Sequence, residues 1–420
     1  MALDPQQILD ARGDPAALEK LYRADRSGFV AALPAAAAAD PGAMALRVWQ
    51  VRLASDLPEI TKLAEPQDGT RDILLVLFLC LVSGTMAKLP AFAGQFDEAD
   101  FYARNLGFLF LPALAGYFLA RNGSTTRKAI SVAVMFVVGA LAANAYPKPE
   151  GSHSVTLALL HLPFLLWAVV GYAFTTSPWR EARWRIQSLR LNGEAIIYTA
   201  LVVITGGLMT AITMALFGAI DVDVEAWYGR WVVVYGACSA PIVGMHLATT
   251  RTRAAFTIAP LIARIFSPIA LLILVAYLVA MALQGRSPYG EREFLIVFNA
   301  MLLSVLGIAV FCICERRPGR FSDAVLCALV FVALIIDLIA LSAILYRLAS
   351  FGFSPNRIAT LVANVLVFVH LAGILVTFFP AARRKGEAAS AETWIARFLP
   401  AYAVWSAIVV FLFPLLFRFR

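Results

Sequence analysis

Two titratable side chains, Asp337 and His370, lie inside long apolar stretches of this chain. Asp337 stands ten residues before Arg347, and His370 thirteen after Arg357. At about 1.5 Å rise per residue, both reach a depth on the order of 15–20 Å below the turn joining their helices. An ionisable group at that depth costs on the order of 3 kcal/mol or more without water or a partner. Such a pair can relay a proton, hold a cation or serve as counter-ion to a substrate. It can also simply lock helix packing. Their matched depth allows the two to touch. Asn299, in the eighth apolar run, and Asn364, in the tenth with His370, complete a candidate intramembrane polar site.

A second chemistry lies at the ends of these helices. Gly285-Arg-Ser-Pro288 is followed by Arg292, and Gly352-Phe-Ser-Pro355 by Arg357. Serine before proline starts a helix, and a helix N-terminus beside arginine attracts anions. Arg286, Arg292, Arg347 and Arg357, with Tyr346, form a candidate anion or lipid site on the outer face. The alternative is that these arginines reach headgroups and pair with Glu291 or Glu293. Metal chemistry is not expected. His161 and His246 stand apart, and Cys312 and Cys314 have no usual zinc spacing. The other cysteines, Cys80, Cys238 and Cys327, also fall in or beside apolar runs, as small buried hydrophobes do. No nucleophile elbow, zincin helix, phosphate loop or dinucleotide fingerprint is present in a suitable context, so no catalytic residue or cofactor is assigned.

These residues need a lipid-spanning scaffold, and the composition supplies it. Of 420 residues, 61% are apolar and 15% charged, against about 25% charged in soluble domains. The net charge of +8 does not point to nucleic acid, because the basic residues sit in short loops between apolar runs. A span needs about 20 residues, and about eleven such runs occur between Ile73 and Phe417. The fold class is therefore all-α, a polytopic transmembrane helix bundle over 72–420. Alternate loops are basic, among them Arg180 to Arg190, Arg316 to Arg320 and Arg383 to Lys385. The intervening loops are acidic or mixed. Positive loops face the cytoplasm, which places the N-terminus there, and an odd count places the C-terminus outside. Trp179, Trp184, Trp227 and Trp231 flank loops as interfacial anchors.

Finer readings follow. In the fifth span, Thr199, Gly206, Thr210 and Thr213, with Gly207, form a small, hydroxyl-bearing stripe suited to close helix packing. Asn192 and Glu194 open that helix as cap and first-turn acid. In the ninth span Ala333, Asp337, Ala340 and Ile344 share a face. In the tenth, Ala359, Ala363, Leu366, His370, Gly373 and Thr377 do so. Residues 1–71 read as a small cytoplasmic helical module. Asp4-Pro5, Asp14-Pro15 and Asp40-Pro41 each place a capping acid before proline. Ala43 to Ala54 is amphipathic through Met44, Leu46, Val48, Val51 and Leu53. No secretory signal is read in this region.

Several pieces resemble a bacterial multi-pass membrane family of unknown function, domain-of-unknown-function family four-one-five-three. They are Arg264 to Pro268, Gly285 to Pro288, Glu293 to Asn299, Asp337 to Arg347 and Phe351 to Arg357, with Leu21 to Asp25. The resemblance is strongest over 261–376. It implies a protein of the bacterial cytoplasmic membrane and brings no activity with it. The residues themselves point to a transport-like protein handling or sensing an anionic or amphipathic substrate. A membrane enzyme on a lipid-linked substrate is one alternative. A scaffold docking a protein partner through residues 1–71 is another. Membrane lipids are partners in every case.

Overall fold

The computed structural model describes residues 4–56, 69–93, 97–148, 150–175, 181–218, 222–250, 252–283, 289, 292–316, 319–384 and 388–419. The chain divides into two compact units, Met1–Pro66 and Gln67–Arg420. All regular elements among the described residues are helical.

The first unit holds α1 (Pro5–Asp10), α2 (Pro15–Ala24), α3 (Arg26–Ala39) and α4 (Met44–Asp56). Asp4 accepts from the Gln6 amide at 3.0 Å, and Asp14 from those of Ala16 and Ala17 at 2.9 and 3.2 Å. These are the expected caps, each with proline at the first helical position. Asp40-Pro41 behaves differently. Asp40 follows the end of α3 and accepts from the Gly42 amide at 3.2 Å, so the segment turns and α4 begins later, at Met44. An Asx-type turn onto glycine outcompetes the cap. The apolar face of α4 also differs from expectation. Leu46 and Trp49 are buried, while Met44 and Val48 are exposed. The i, i+3 pair facing Phe29 and Tyr22 decides the inward side.

The second unit contains α5 (Gly69–Ala87), α6 (Leu89–Ala93), α7 (Glu98–Asn105), α8 (Leu111–Arg121), α9 (Thr126–Ala145), α10 (His153–Phe174), α11 (Ala182–Gly218) and α12 (Glu225–Tyr228). It continues through α13 (Val234–Thr250), α14 (Thr252–Leu283), α15 (Arg292–Cys314), α16 (Arg320–Phe351), α17 (Pro355–Arg384), α18 (Ala389–Ala407) and α19 (Phe413–Leu416). Among the described residues nine helical stretches are long and apolar enough to cross a membrane. The chain is a multi-pass membrane protein. Shorter apolar stretches occur in α14 (Ile265–Val279) and α15 (Phe298–Cys314).

Two buried cores hold this unit together. One joins α14 to α18 around Phe298, Leu329, Ile336, Ile374 and Ile395. The other joins α5, α8, α9, α10 and α13 around Tyr117, Phe118, Leu166 and Ile242. Cations close helix ends in the second. Arg104 donates to the carbonyls of Ala143, Tyr146 and Pro147 at 2.7–3.0 Å, ending α9. Lys128 donates to the Thr175 carbonyl, and Asn122 to that of Phe174 at 2.8 Å, ending α10. Terminal carbonyls lack intrahelical donors, so these side chains supply them.

Three expectations for the fifth span are corrected. α11 begins at Ala182, so Asn192 lies inside it and donates to the Ser188 carbonyl at 2.6 Å instead of capping. Trp184 is buried against Phe174, not an interfacial anchor. The hydroxyl stripe packs at one point only. A Cβ on Gly244 of α13 would collide with Thr199. Thr210 and Thr213 donate to the Gly206 and Met209 carbonyls, four residues back in the same helix, and nothing lies within 4 Å of where Gly206 and Gly207 would carry a Cβ. Local back-bonding satisfies these hydroxyls without a neighbouring helix.

Candidate intramembrane site

The helix pair α16 and α17 carries the two deep titratable groups. On α16, Ala333, Asp337, Ala340 and Ile344 are all buried, so the small-residue face turns inward. Neither oxygen of the Asp337 carboxyl has a hydrogen-bond partner. On α17, His370 is buried, and its Nδ1 pairs with the Tyr402 hydroxyl of α18 at 3.0 Å. Its ring stacks on Phe398, centroids 4.6 Å apart. Nε2 of His370 is buried and has no partner. Tyr402 lies within electrostatic reach of Asp337. Asp337 and His370 are thus not hydrogen-bonded to each other; the tyrosine takes the histidine. Asn364 donates to Asn299 at 2.8 Å and to the Thr360 carbonyl at 2.8 Å, forming a separate bridge between α17 and α15.

Trp394 of α18 fixes the backbone around His370. Its indole N–H donates to the His370 carbonyl at 3.1 Å, and its ring lies over Gly373. A Cβ at Gly373 would fall inside that indole. We expect Gly373→Val to destabilise the bundle by about 1–3 kcal/mol through overpacking. Thermal unfolding in detergent measures it. If Gly373→Val is equally harmful in a Trp394→Ala background, the close approach is not the reason.

Beside His370 lies a cavity of about 560 Å³ bounded by α10, α11, α15, α17 and α18. Its wall is mainly apolar, with His161, His370, Tyr402, Trp405 and Arg185 among the polar exceptions. Proline shapes one side. Pro400 of α18 has no N–H, so the Ala396 carbonyl loses its helical donor. Arg185 Nε fills that role at 2.6 Å. Asp337 does not line the cavity; His370 and Tyr402 do.

The arginines of the expected anion or lipid site are described only in part. Arg286 and the side chain of Arg292 lie outside the described residues. Arg357 donates to the carbonyls of Phe351 and Gly352 at 2.7 and 2.6 Å, closing the end of α16. Arg347 and Arg357 both approach the Phe351 ring. Tyr346 packs edge-on against Tyr289.

Two polar clusters escaped the sequence reading. Arg121 donates to Asp72 at 3.3 Å and to the Tyr117 hydroxyl at 2.8 Å, and that hydroxyl pairs with Thr249 at 2.6 Å and His246 at 3.2 Å. Each member sits at a helix end, where a charge reads as a topology signal. The i, i+4 spacing of Tyr117 and Arg121 was the available hint. Arg316 and Asp323 form a two-pronged ion pair at 2.8–2.9 Å, and Asp323 holds the guanidinium above its ordinary pKa. Among the described residues no group of three or more His, Cys, Asp or Glu side chains is placed to hold a metal ion. Compared with known protein families, curated proteins and solved structures, the chain matches none.

Proposed function

We propose that this chain is a transport-like protein of the bacterial cytoplasmic membrane that handles an amphipathic substrate. The carrying observation is the cavity whose wall includes His370 and Tyr402, with Asp337 buried on the helix packed against that of His370. A scaffold that only docks a partner has no use for such a space, and a closed bundle would suit it better. Among the described wall residues Arg185 is the only arginine or lysine, which favours an amphipathic substrate over a small anion. In this reading His370 and Tyr402 meet the substrate, and Asp337 is the sheltered titratable group behind them. About eleven spans, counting the short stretches in α14 and α15, a cytoplasmic N-terminus and a cytoplasmic module over 1–71 belong to the same proposal. So does the resemblance of 261–376 to the multi-pass family.

The test uses vesicles containing the purified chain and phosphatidylglycerol with a fluorescent label on its headgroup side. Wild-type protein should speed movement of the label between leaflets, read by quenching from outside. Asp337→Asn, if it elutes as a folded monodisperse species, should slow that movement roughly tenfold, the factor that about 1.4 kcal/mol represents. Wild-type vesicles no faster than protein-free ones would remove the transport reading. An Asp337→Asn variant as fast as wild type would remove the acid's role.

A further inference from the structure

The cavity is open on one side, and the opening lies about halfway along two of its helices. Phe164 and Trp167 of α10 and Leu303 of α15 belong to its wall, yet are 51%, 38% and 48% exposed on the outside of the bundle. Phe164 is the twelfth residue of a 22-residue helix, and Leu303 the twelfth of a 23-residue helix. Mid-helix positions of a spanning helix, as α10 is and as α15 is in the reading above, face acyl chains, not water. Gly307, also in the wall, has nothing within 4 Å of the place its Cβ would occupy. A ligand therefore comes in sideways from the lipid, between α10 and α15.

The shape selects a chain. Along α10 the wall runs from His161 to Thr175, just past the helix end. Fourteen residues rise about 21 Å. A cavity that long beside its helix suits an extended chain better than a compact solute.

The chemistry of the wall adds a second requirement. Trp184 Nε1, Trp405 Nε1 and His370 Nε2 are all buried without a hydrogen-bond partner, and all three residues line this one cavity. Trp184 and His370 are each 1% exposed, and the three nitrogens have almost no accessible surface, so a partner meets one only after its ring turns toward the cavity. An indole N–H only donates. The group that satisfies it must be an acceptor, and an apolar wall favours an uncharged one. An ester carbonyl meets both conditions.

We propose that the cavity takes one acyl chain of a membrane glycerolipid, inserted between α10 and α15, with an ester carbonyl accepting from a wall indole. This rests on the reading above and names its substrate class.

The test uses the full chain in phosphatidylethanolamine and phosphatidylglycerol vesicles containing phosphatidylglycerol with a photoreactive diazirine in one acyl chain. Illumination should label wall residues of α10, α15 or α17. Gly307→Trp fills the opening from a position with free space around it, and should cut that labelling roughly tenfold. Leu338→Trp, on an exposed face of α16, should leave it unchanged. Trp184→Phe and Trp405→Phe keep an aromatic ring and remove the donor; at least one should weaken labelling about fivefold. Unlabelled phosphatidylglycerol should compete better than an equal amount of oleic acid. Labelling that ignores Gly307→Trp, ignores both indole changes, or is displaced only by the fatty acid overturns the proposal. Labelling that obeys these rules while wild-type protein moves no phosphatidylglycerol across the bilayer keeps the site and removes the transport reading. Movement without Gly307-sensitive labelling does the reverse.

Discussion

Replacing Arg316 with alanine is expected to lower the stability of the bundle by about 3–5 kcal/mol. Arg316 Nε and Nη2 donate to the two oxygens of Asp323 at 2.9 and 2.8 Å, and both side chains are buried. The guanidinium also covers the Phe378 ring and reaches the Ala381 carbonyl at 3.4 Å. The pair therefore ties the start of α16 to the far end of α17. Removing the arginine leaves a carboxylate surrounded by protein, with only the weak 3.4 Å contact from the Gly319 amide remaining among the described residues. The penalty is that of the stranded charge, more than the net worth of the pair. The double variant Arg316→Met, Asp323→Leu should accordingly recover most of the loss. Reversible unfolding in mixed detergent micelles provides the measurement. A single variant as stable as wild type, or a double variant no better than the single, would refute this account.

Trp49→Ala is expected to undo the first unit while sparing the bundle. Trp49 packs against Tyr22 and Phe29 with ring centroids 4.9 and 5.1 Å apart, at the centre of a core that also holds Ile8, Leu18, Leu33 and Leu46. Deleting a buried tryptophan costs about 3–5 kcal/mol. A unit of Met1–Pro66 is small enough for that to be most of its stability. Limited proteolysis of the full chain should show cleavage within residues 4–56 accelerated by about two orders of magnitude, following the population of the open form. The thermal transition of Gln67–Arg420 should stay where it is, since Trp49 belongs to the core of the first unit and to none of the cores of the second. Unchanged proteolysis would mean that the aromatic cluster does not hold this unit. A shifted bundle transition would mean that the units are coupled.

Some of the site was legible from spacing. The small-residue face around Asp337 is buried at each of the four positions named, because small side chains on one face of a spanning helix let a neighbour approach and exclude lipid. The partners of the polar groups were not legible. Depth alone made Asp337 and His370 neighbours; Tyr402, on a different helix, took the histidine. Asn192 looked like a helix start because an amide followed by an acid two residues on suits a cap and first turn, yet the arginine-rich run before it is itself helical and places Trp184 and Arg185 on the cavity wall. Pro400 was visible as a residue without a donor, but nothing in the sequence says that Arg185, more than two hundred positions earlier, supplies the missing hydrogen bond.

What the chain's order of residues determines alone is local or one-dimensional: apolar length, the Asp-Pro caps at Asp4 and Asp14, the alternation of basic loops, and which face of a helix carries small side chains. Each depends on neighbours within a few turns, or on the solvent that a segment prefers. The cavity, its opening between α10 and α15, and its partnerless indole and imidazole nitrogens belong to five helices at once. Their positions follow from how those helices pack and tilt. That is settled by side-chain contacts between segments far apart in the chain, and no periodicity within one segment encodes it.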